Sequence, residues 1–286
     1  MASKTAKKPP TPENLVDEFV KRRPRLAPSI LASLKTMGTG RDPPKRVERP
    51  SFPKRRGFTV SDQWISLRWM IDTAELQGTH ALRGLTLALA RMIQADAFKT
   101  LFLDARPYRE PLGDIDELLW DQTKPVTRDG KCLAHVMTRR RLRDQIDLAT
   151  TAVIAKIWEP WRVAKSLQNL GSDRAWGAWR QDQNHHAFSW HPWPLVWVYN
   201  GNHSVTAATL RGGGTLKCEA SFDVSPLLQI VTTDGQSWFG EDRIVLGPVR
   251  SLPMAGIMEI GRRLSAPKAR IRDKGRADAT ALRSKP

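Results

Sequence analysis

Asp182, His185 and His203 are the side chains of this 286-residue sequence whose types and spacing could do acid–base or metal-assisted chemistry. They bracket a turn, Asn200-Gly201-Asn202-His203-Ser204, with Thr206 shortly after. An imidazole beside a carboxylate can move a proton near neutral pH or help hold a divalent ion. A glycine turn opening a helix presents backbone N–H groups and the positive end of the helix dipole, which suits a phosphate. The expected roles follow from those properties. His203 would polarise a phosphate or activate water, and Asp182 with His185 would hold a divalent ion or orient His203. Gly201 would let the ligand approach the backbone, while Asn202, Ser204 and Thr206 would donate to its oxygens. A structural role for Asp182 and His185, tying their loop to the turn by hydrogen bonds, stands beside the catalytic one. No P-loop is present, no Ser, His and Asp order argues for a hydrolase, and the basic run Arg139-Arg140-Arg141 with Arg143 reads as a solvated face.

The elements around the turn must place these groups. Leu195-Val196-Trp197-Val198-Tyr199 has the β-branched and aromatic make-up of a buried strand, and Asn200-Gly201-Asn202 breaks it. Ser204 is expected to cap the helix that follows, Ala207 and Ala208 favour it, and Gly212-Gly213-Gly214 ends it. A second strand is expected from Leu216 to Val224. Upstream, short helices are expected at 12–20 and 29–37, with a Pro-rich linker over 40–57. Longer helices are expected from Ser61-Asp62 to Gln77, from Thr79 to Leu103, near Ile115 to Trp120, from Thr138 to Trp158 and from Trp161 to Leu170.

The pattern of apolar strand, Gly201-Asn202-His203-Ser204, helix with Ala207-Ala208, glycine and second strand resembles the core box of the ParB/sulfiredoxin superfamily. In ParB proteins the box holds nucleotide phosphates with a glycine, an acidic residue and two arginines. In sulfiredoxin it contains glycine, cysteine, histidine and arginine and serves ATP-dependent chemistry. Gly201 and His203 match. Asn202 stands where sulfiredoxin has its cysteine, which excludes that covalent chemistry, and Ser204 stands where the usual cation would be. The segment from Trp179 to His185, taken with the box, also resembles an uncharacterised bacterial family built around Gly-Asn-His-Ser. In size and character the chain resembles the Osa type of plasmid fertility-inhibition protein. That resemblance implies a bacterial cytoplasmic protein that blocks conjugative transfer with ATPase and DNase activity and meets a conjugation coupling or secretion protein; the expected cofactors, for the box, are Mg2+ and ATP or CTP. The alternatives are a non-catalytic nucleic-acid-binding module and an inhibitor that binds a secretion or coupling protein.

Charge adds a separate argument. Residues 1–56 carry 15 Lys and Arg against 5 Asp and Glu, and residues 261–286 carry 9 against 2. The remaining residues carry 22 of each sign, so the whole formal charge of +17 sits in two arms. Such arms suit DNA, bound without sequence preference by exchange of counterions. Between them, residues 57–260 suffice for a single folded body, mainly helical over 57–171 and ParB/sulfiredoxin-like over 172–260. Two cysteines, Cys132 and Cys218, leave no basis for a disulfide framework and suggest a reducing compartment. No apolar run has the length of a membrane span, so no membrane insertion is expected. Seven of the eleven tryptophans fall between Trp158 and Trp197. They are expected mainly as core, with a base-stacking surface as the alternative. The expected fold is α/β in the α+β sense, a helical N-terminal portion packed on a small mixed sheet.

Overall fold

Two long helices open the folded part of the chain, each set by local chemistry. A computed structural model describes residues 59–103 and 114–266, with residues 47, 48, 50 and 51 ahead of them. Helix α1 (Val60–Gln77) starts one residue after Thr59, whose hydroxyl accepts the Asp62 N–H (3.2 Å) while the Asp62 carboxylate accepts the Thr59 N–H (2.9 Å). This reciprocal pair satisfies two helix-end donors. The expected Ser61-Asp62 cap is thus corrected, Asp62 being the third helical residue. Gly78, with φ +96°, ends α1, and α2 (Thr79–Leu103) follows with the expected bounds. The helices expected at 12–20 and 29–37 lie outside the described residues.

After short helices α3 (Ile115–Leu118) and α4 (Leu133–Val136), the chain departs from expectation. Instead of a helix from Thr138 to Trp158 it forms β1 (Thr138–Arg139), β2 (Gln145–Asp147) and β3 (Ala152–Ala155). Val153 and Ile154 of β3 are β-branched and lose little in a strand. Asp147 also makes a tight turn, its carboxylate accepting the Ala149 N–H (2.9 Å) and its carbonyl the Thr151 N–H (3.0 Å). Helix α5 (Pro160–Asn169), strands β4 (His186–His191) and β5 (Leu195–Asn200), and helix α6 (Asn202–Arg211) come next. The single strand expected from Leu216 to Val224 is two strands, β6 (Thr215–Lys217) and β7 (Ala220–Asp223), in different sheets. Then come α7 (Ser225–Ile230), β8 (Thr232–Thr233), β9 (Ser237–Phe239), β10 (Val245–Pro248) and α8 (Leu252–Ser265). Helix α8 carries the folded body past Ile260. Its Arg263 pairs with Asp72 and Glu75 of α1 at 2.6 Å each, so that charge belongs to packing and not to a tail.

The central sheet has the order β1-β7-β4-β5-β3, with β5 parallel to β3 and antiparallel to β4. A smaller antiparallel sheet contains β10, β9 and β8, and β2 pairs with β6. The continuous apolar run of β5 is explained by burial on both faces. Leu195 and Trp197 pack with Trp190, Ile154 and residues of α1, α2 and α8. Val196 and Val198 pack on the other face with Val153, Ala155 and α6 residues Val205, Ala207 and Ala208. The result is a mixed sheet with helices on both sides and the helical N-terminal portion packed against it, the α+β class read from the sequence. Among the described residues no helix is long and apolar enough to cross a membrane.

Candidate functional site

The β5–α6 junction is built as the sequence suggests but capped differently. Gly201 itself is the cap residue, in the left-handed region at φ +77°, and no side chain caps α6. Ser204 lies inside the first turn, where its hydroxyl donates to the Gly201 carbonyl (3.1 Å). A methyl group at Gly201 would come within 2.6 Å of the His185 ring and 2.9 Å of the Asn184 carbonyl. Glycine is therefore required twice over, by conformation and by space. Gly212, at φ +69°, ends the helix as expected. The backbone N–H groups of the first α6 turn have no partner within the helix.

The remaining residues of the box divide between ligand-facing and structural places. Asn202 is buried, its side-chain oxygen accepting the Lys156 N–H (3.0 Å) at the end of β3. Thr206 is 2% exposed, with its hydroxyl enclosed. Asn202 ties the turn to β3 through its oxygen and also lines the cleft beside the turn, so donation from its amide to a ligand stays open, whereas Thr206 is enclosed and does not line it. His203 lines an open cleft of about 470 Å3 together with Gly201 and Ser204. Its Nε2 accepts the N–H of Glu159, the residue preceding α5 (3.2 Å), and its ring meets Trp158 edge-on at 4.5 Å. Burial lowers its pKa, the nearby positive charge of Arg162 lowers it further, and Glu159 opposes in part. Because Nε2 accepts a backbone N–H it carries no proton, and the ring proton is on Nδ1.

The rest of the cleft lining comes from α5 and the segments on either side of it. Arg162 and Lys165 line the cleft, and so do Trp158, Trp161 and Trp176, which are 47%, 59% and 49% exposed. Arg162 lies 5.3 Å from the Trp161 ring centre and forms an ion pair with Glu159. The Lys165 ammonium lies 5.9 Å from the Trp176 ring centre. Tryptophan crowding before the box therefore has two origins. Trp179, Trp190, Trp193 and Trp197 are core, as expected, while the other three stand at the cleft. Sequence reasoning missed Arg162 and Lys165. The available signal was local: Trp161 and Lys165 are four residues apart on the exposed side of a helix that buries Val163 and Ser166.

The four histidines near the box do not converge, since each has its own partner. His185 meets Ser204, His186 meets Glu219, His191 meets Asp144 and His203 meets Glu159. No group of three or more His, Cys, Asp or Glu side chains is gathered for a metal among the described residues. Asp182 and His185 do not fit a divalent ion, because Nδ1 of His185 accepts the Asp182 N–H (3.0 Å) and Nε2 faces the Ser204 hydroxyl (2.6 Å).

The family assignment rests on residues 67–270, a span that includes this cleft and excludes residues 1–66. The chain belongs to DUF6710, a family of unknown function. Curated proteins give no match to it, and neither do solved structures.

One arrangement in this DUF6710 chain has the outward form of a hydrolase relay. The Asp182 carboxylate lies 2.8 Å from Nδ1 of His185, whose Nε2 is 2.6 Å from the Ser204 hydroxyl. The proton placement opposes that use. Nδ1 accepts the backbone N–H of Asp182, so the ring proton sits on Nε2 and is donated to Ser204, which donates in turn to Gly201. The Asp182 carboxylate closes its own turn by accepting the Asn184 N–H (2.8 Å). A serine is activated only when the histidine beside it can accept its proton. A fluorophosphonate probe is accordingly expected to leave Ser204 unlabelled, as read by intact mass at neutral pH. Labelling abolished by Ser204→Ala would overturn this tautomer.

Proposed function

We propose that this protein binds nucleic acid through the cleft, with the β5–α6 turn receiving a phosphate, and that the box serves binding and not bond cleavage. The observation that carries the reading is that Arg162 and Lys165 line a single cleft together with the start of α6. The cation missing from the box sequence is thus supplied by a different helix. Backbone N–H groups of the first α6 turn would meet the phosphate oxygens, helped by the helix dipole. The basic arms would raise the local concentration of the polyanion without selecting a sequence. Both histidines nearest the turn have acceptor nitrogens already committed, which leaves neither positioned as a general base. Within the plasmid-transfer setting implied by the resemblance to Osa-type proteins, occupancy of DNA or of a coupling protein would inhibit without turnover.

The test is a titration of the full chain against labelled oligonucleotide over a series of salt concentrations. Changing both Arg162→Ala and Lys165→Ala is expected to weaken binding at least tenfold and to reduce the logarithmic salt slope by about 1.5. Unchanged affinity and slope would remove the cleft from the function and leave the arms as the whole binding surface. Hydrolysis of ATP or CTP, or cleavage of supercoiled DNA with Mg2+, that disappears in His203→Ala would replace the binding role by a catalytic one.

A further inference from the structure

Three indole rings left roughly half exposed at one cleft forgo burial that the fold could otherwise use, and a cluster of this kind marks a ligand surface. Resting on the phosphate reading above, we infer that the cleft selects single-stranded nucleic acid, with unpaired bases stacking on Trp161 and Trp176 while adjacent phosphates meet Arg162, Lys165 and the start of α6. A duplex keeps its base faces stacked on one another, so an indole can pair face to face only with a base that is already free. Every base has such a face, so the selection is for strand form and not for sequence.

The layout favours a strand over a free nucleotide. The cleft of about 470 Å3 adjoins a second cavity of about 390 Å3, and Trp176, Asn184, Gly201 and Ser204 line both. Trp176 therefore stands between two spaces, one beside Trp161 and the other beside Arg180. Successive nucleotides can occupy the two while the backbone passes the turn between them. Arg162 over the Trp161 ring and Lys165 over the Trp176 ring place a cation on one face of each proposed stacking indole, so a base on the other face would lie close to the charge that holds its phosphate. Trp158 has a different part, since its ring is packed edge-on with His203 and supports the wall.

The experiment compares the full chain with a variant carrying Trp161→Ala and Trp176→Ala, both surface positions whose loss leaves the core intact. Fluorescence anisotropy at one ionic strength would be read with four probes: a single-stranded oligonucleotide, the duplex of equal length, an abasic strand of equal length, and fluorescent ATP or CTP. The single strand is expected to bind the natural chain at least tenfold tighter than the duplex or the abasic strand. The double variant is expected to lose about tenfold to a hundredfold for the single strand and to bind the duplex unchanged. Equal affinity of the natural chain for single strand and duplex would overturn the inference, and so would an unaffected variant. Binding of ATP or CTP as tight as that of the strand would overturn it in favour of a nucleotide pocket. The Arg162→Ala, Lys165→Ala chain separates the two readings. If it loses abasic-strand binding while the tryptophan variant behaves as the natural chain, the phosphate reading stands and stacking fails. If it binds the abasic strand unchanged, the phosphate reading itself fails.

Discussion

Gly201→Ala is expected to destabilise the protein by about 3 kcal/mol. Two costs combine. A side chain at φ +77° is strained in any surroundings, and here the new methyl would also overlap the His185 ring and the Asn184 carbonyl, at 2.6 and 2.9 Å. Gly130 separates them, because it has nearly the same backbone conformation, φ +82°, with nothing within 4 Å of the added carbon. Gly130→Ala should therefore cost only about 1 kcal/mol. Urea unfolding of both variants measures the difference, which is the energy of the contact between the turn and the Asp182–His185 loop. Equal losses at the two positions would show that the loop yields freely and does not hold the turn. Because the same displacement moves the first N–H groups of α6, Gly201→Ala should also weaken phosphate binding in the fraction that stays folded.

Asp144→Ala is expected to cost about 3 kcal/mol as well, for an unrelated reason. Asp144 precedes β2, and one of its carboxylate oxygens receives the hydroxyls of Ser189 on β4 and Ser221 on β7 and, at 2.6 Å, Nε2 of His191. Ser189 and Ser221 are fully buried, so deleting the acceptor strands donors that water cannot reach. Burial alone would raise the Asp144 carboxyl. The hydrogen bonds from Ser189, His191 and Ser221, with the charge on His191, outweigh it and hold the pKa below the ordinary value. A carboxylate depressed on folding stabilises the native state above its unfolded pKa, about 4, and that stability is lost as pH falls through the lower native value. Stability of the natural chain should fall over this acid range. Asp144→Asn, which keeps an acceptor oxygen but not the titration, should flatten that fall while remaining more stable than Asp144→Ala at pH 7. A pH profile identical in Asp144→Asn and the natural chain would assign the acid sensitivity to other groups.

How far the sequence could be read depended on the distance over which each signal acts. The β5–turn–α6 unit was legible because apolar β-branched residues, Gly201, Ala207-Ala208 and Gly212 express their preferences within one or two turns of chain. Helix α2 was legible for the same reason, and its bounds are those expected. The stretch from Thr138 to Trp158 was misread because β3 exists through pairing with β5, with Ala152 opposite Leu195 and Ala155 opposite Val198, more than forty residues away. A local pattern cannot weigh such a partner against a helix.

The sequence by itself determined the glycine-bounded turn, the buried character of β5, and the division of charge into a neutral middle and two basic arms. The tertiary structure alone decided what faces that turn. His203 is a neutral, backbone-bonded ring because it meets Glu159, 44 residues away in sequence, and Arg162 and Lys165 become partners of the box because α5 packs beside α6. Trp161 and Trp176 stand at the cleft while Trp190 and Trp193 are buried, although all four belong to the same tryptophan-rich stretch. Burial is a property of the face against which a side chain packs, and that face is assembled only when distant segments meet.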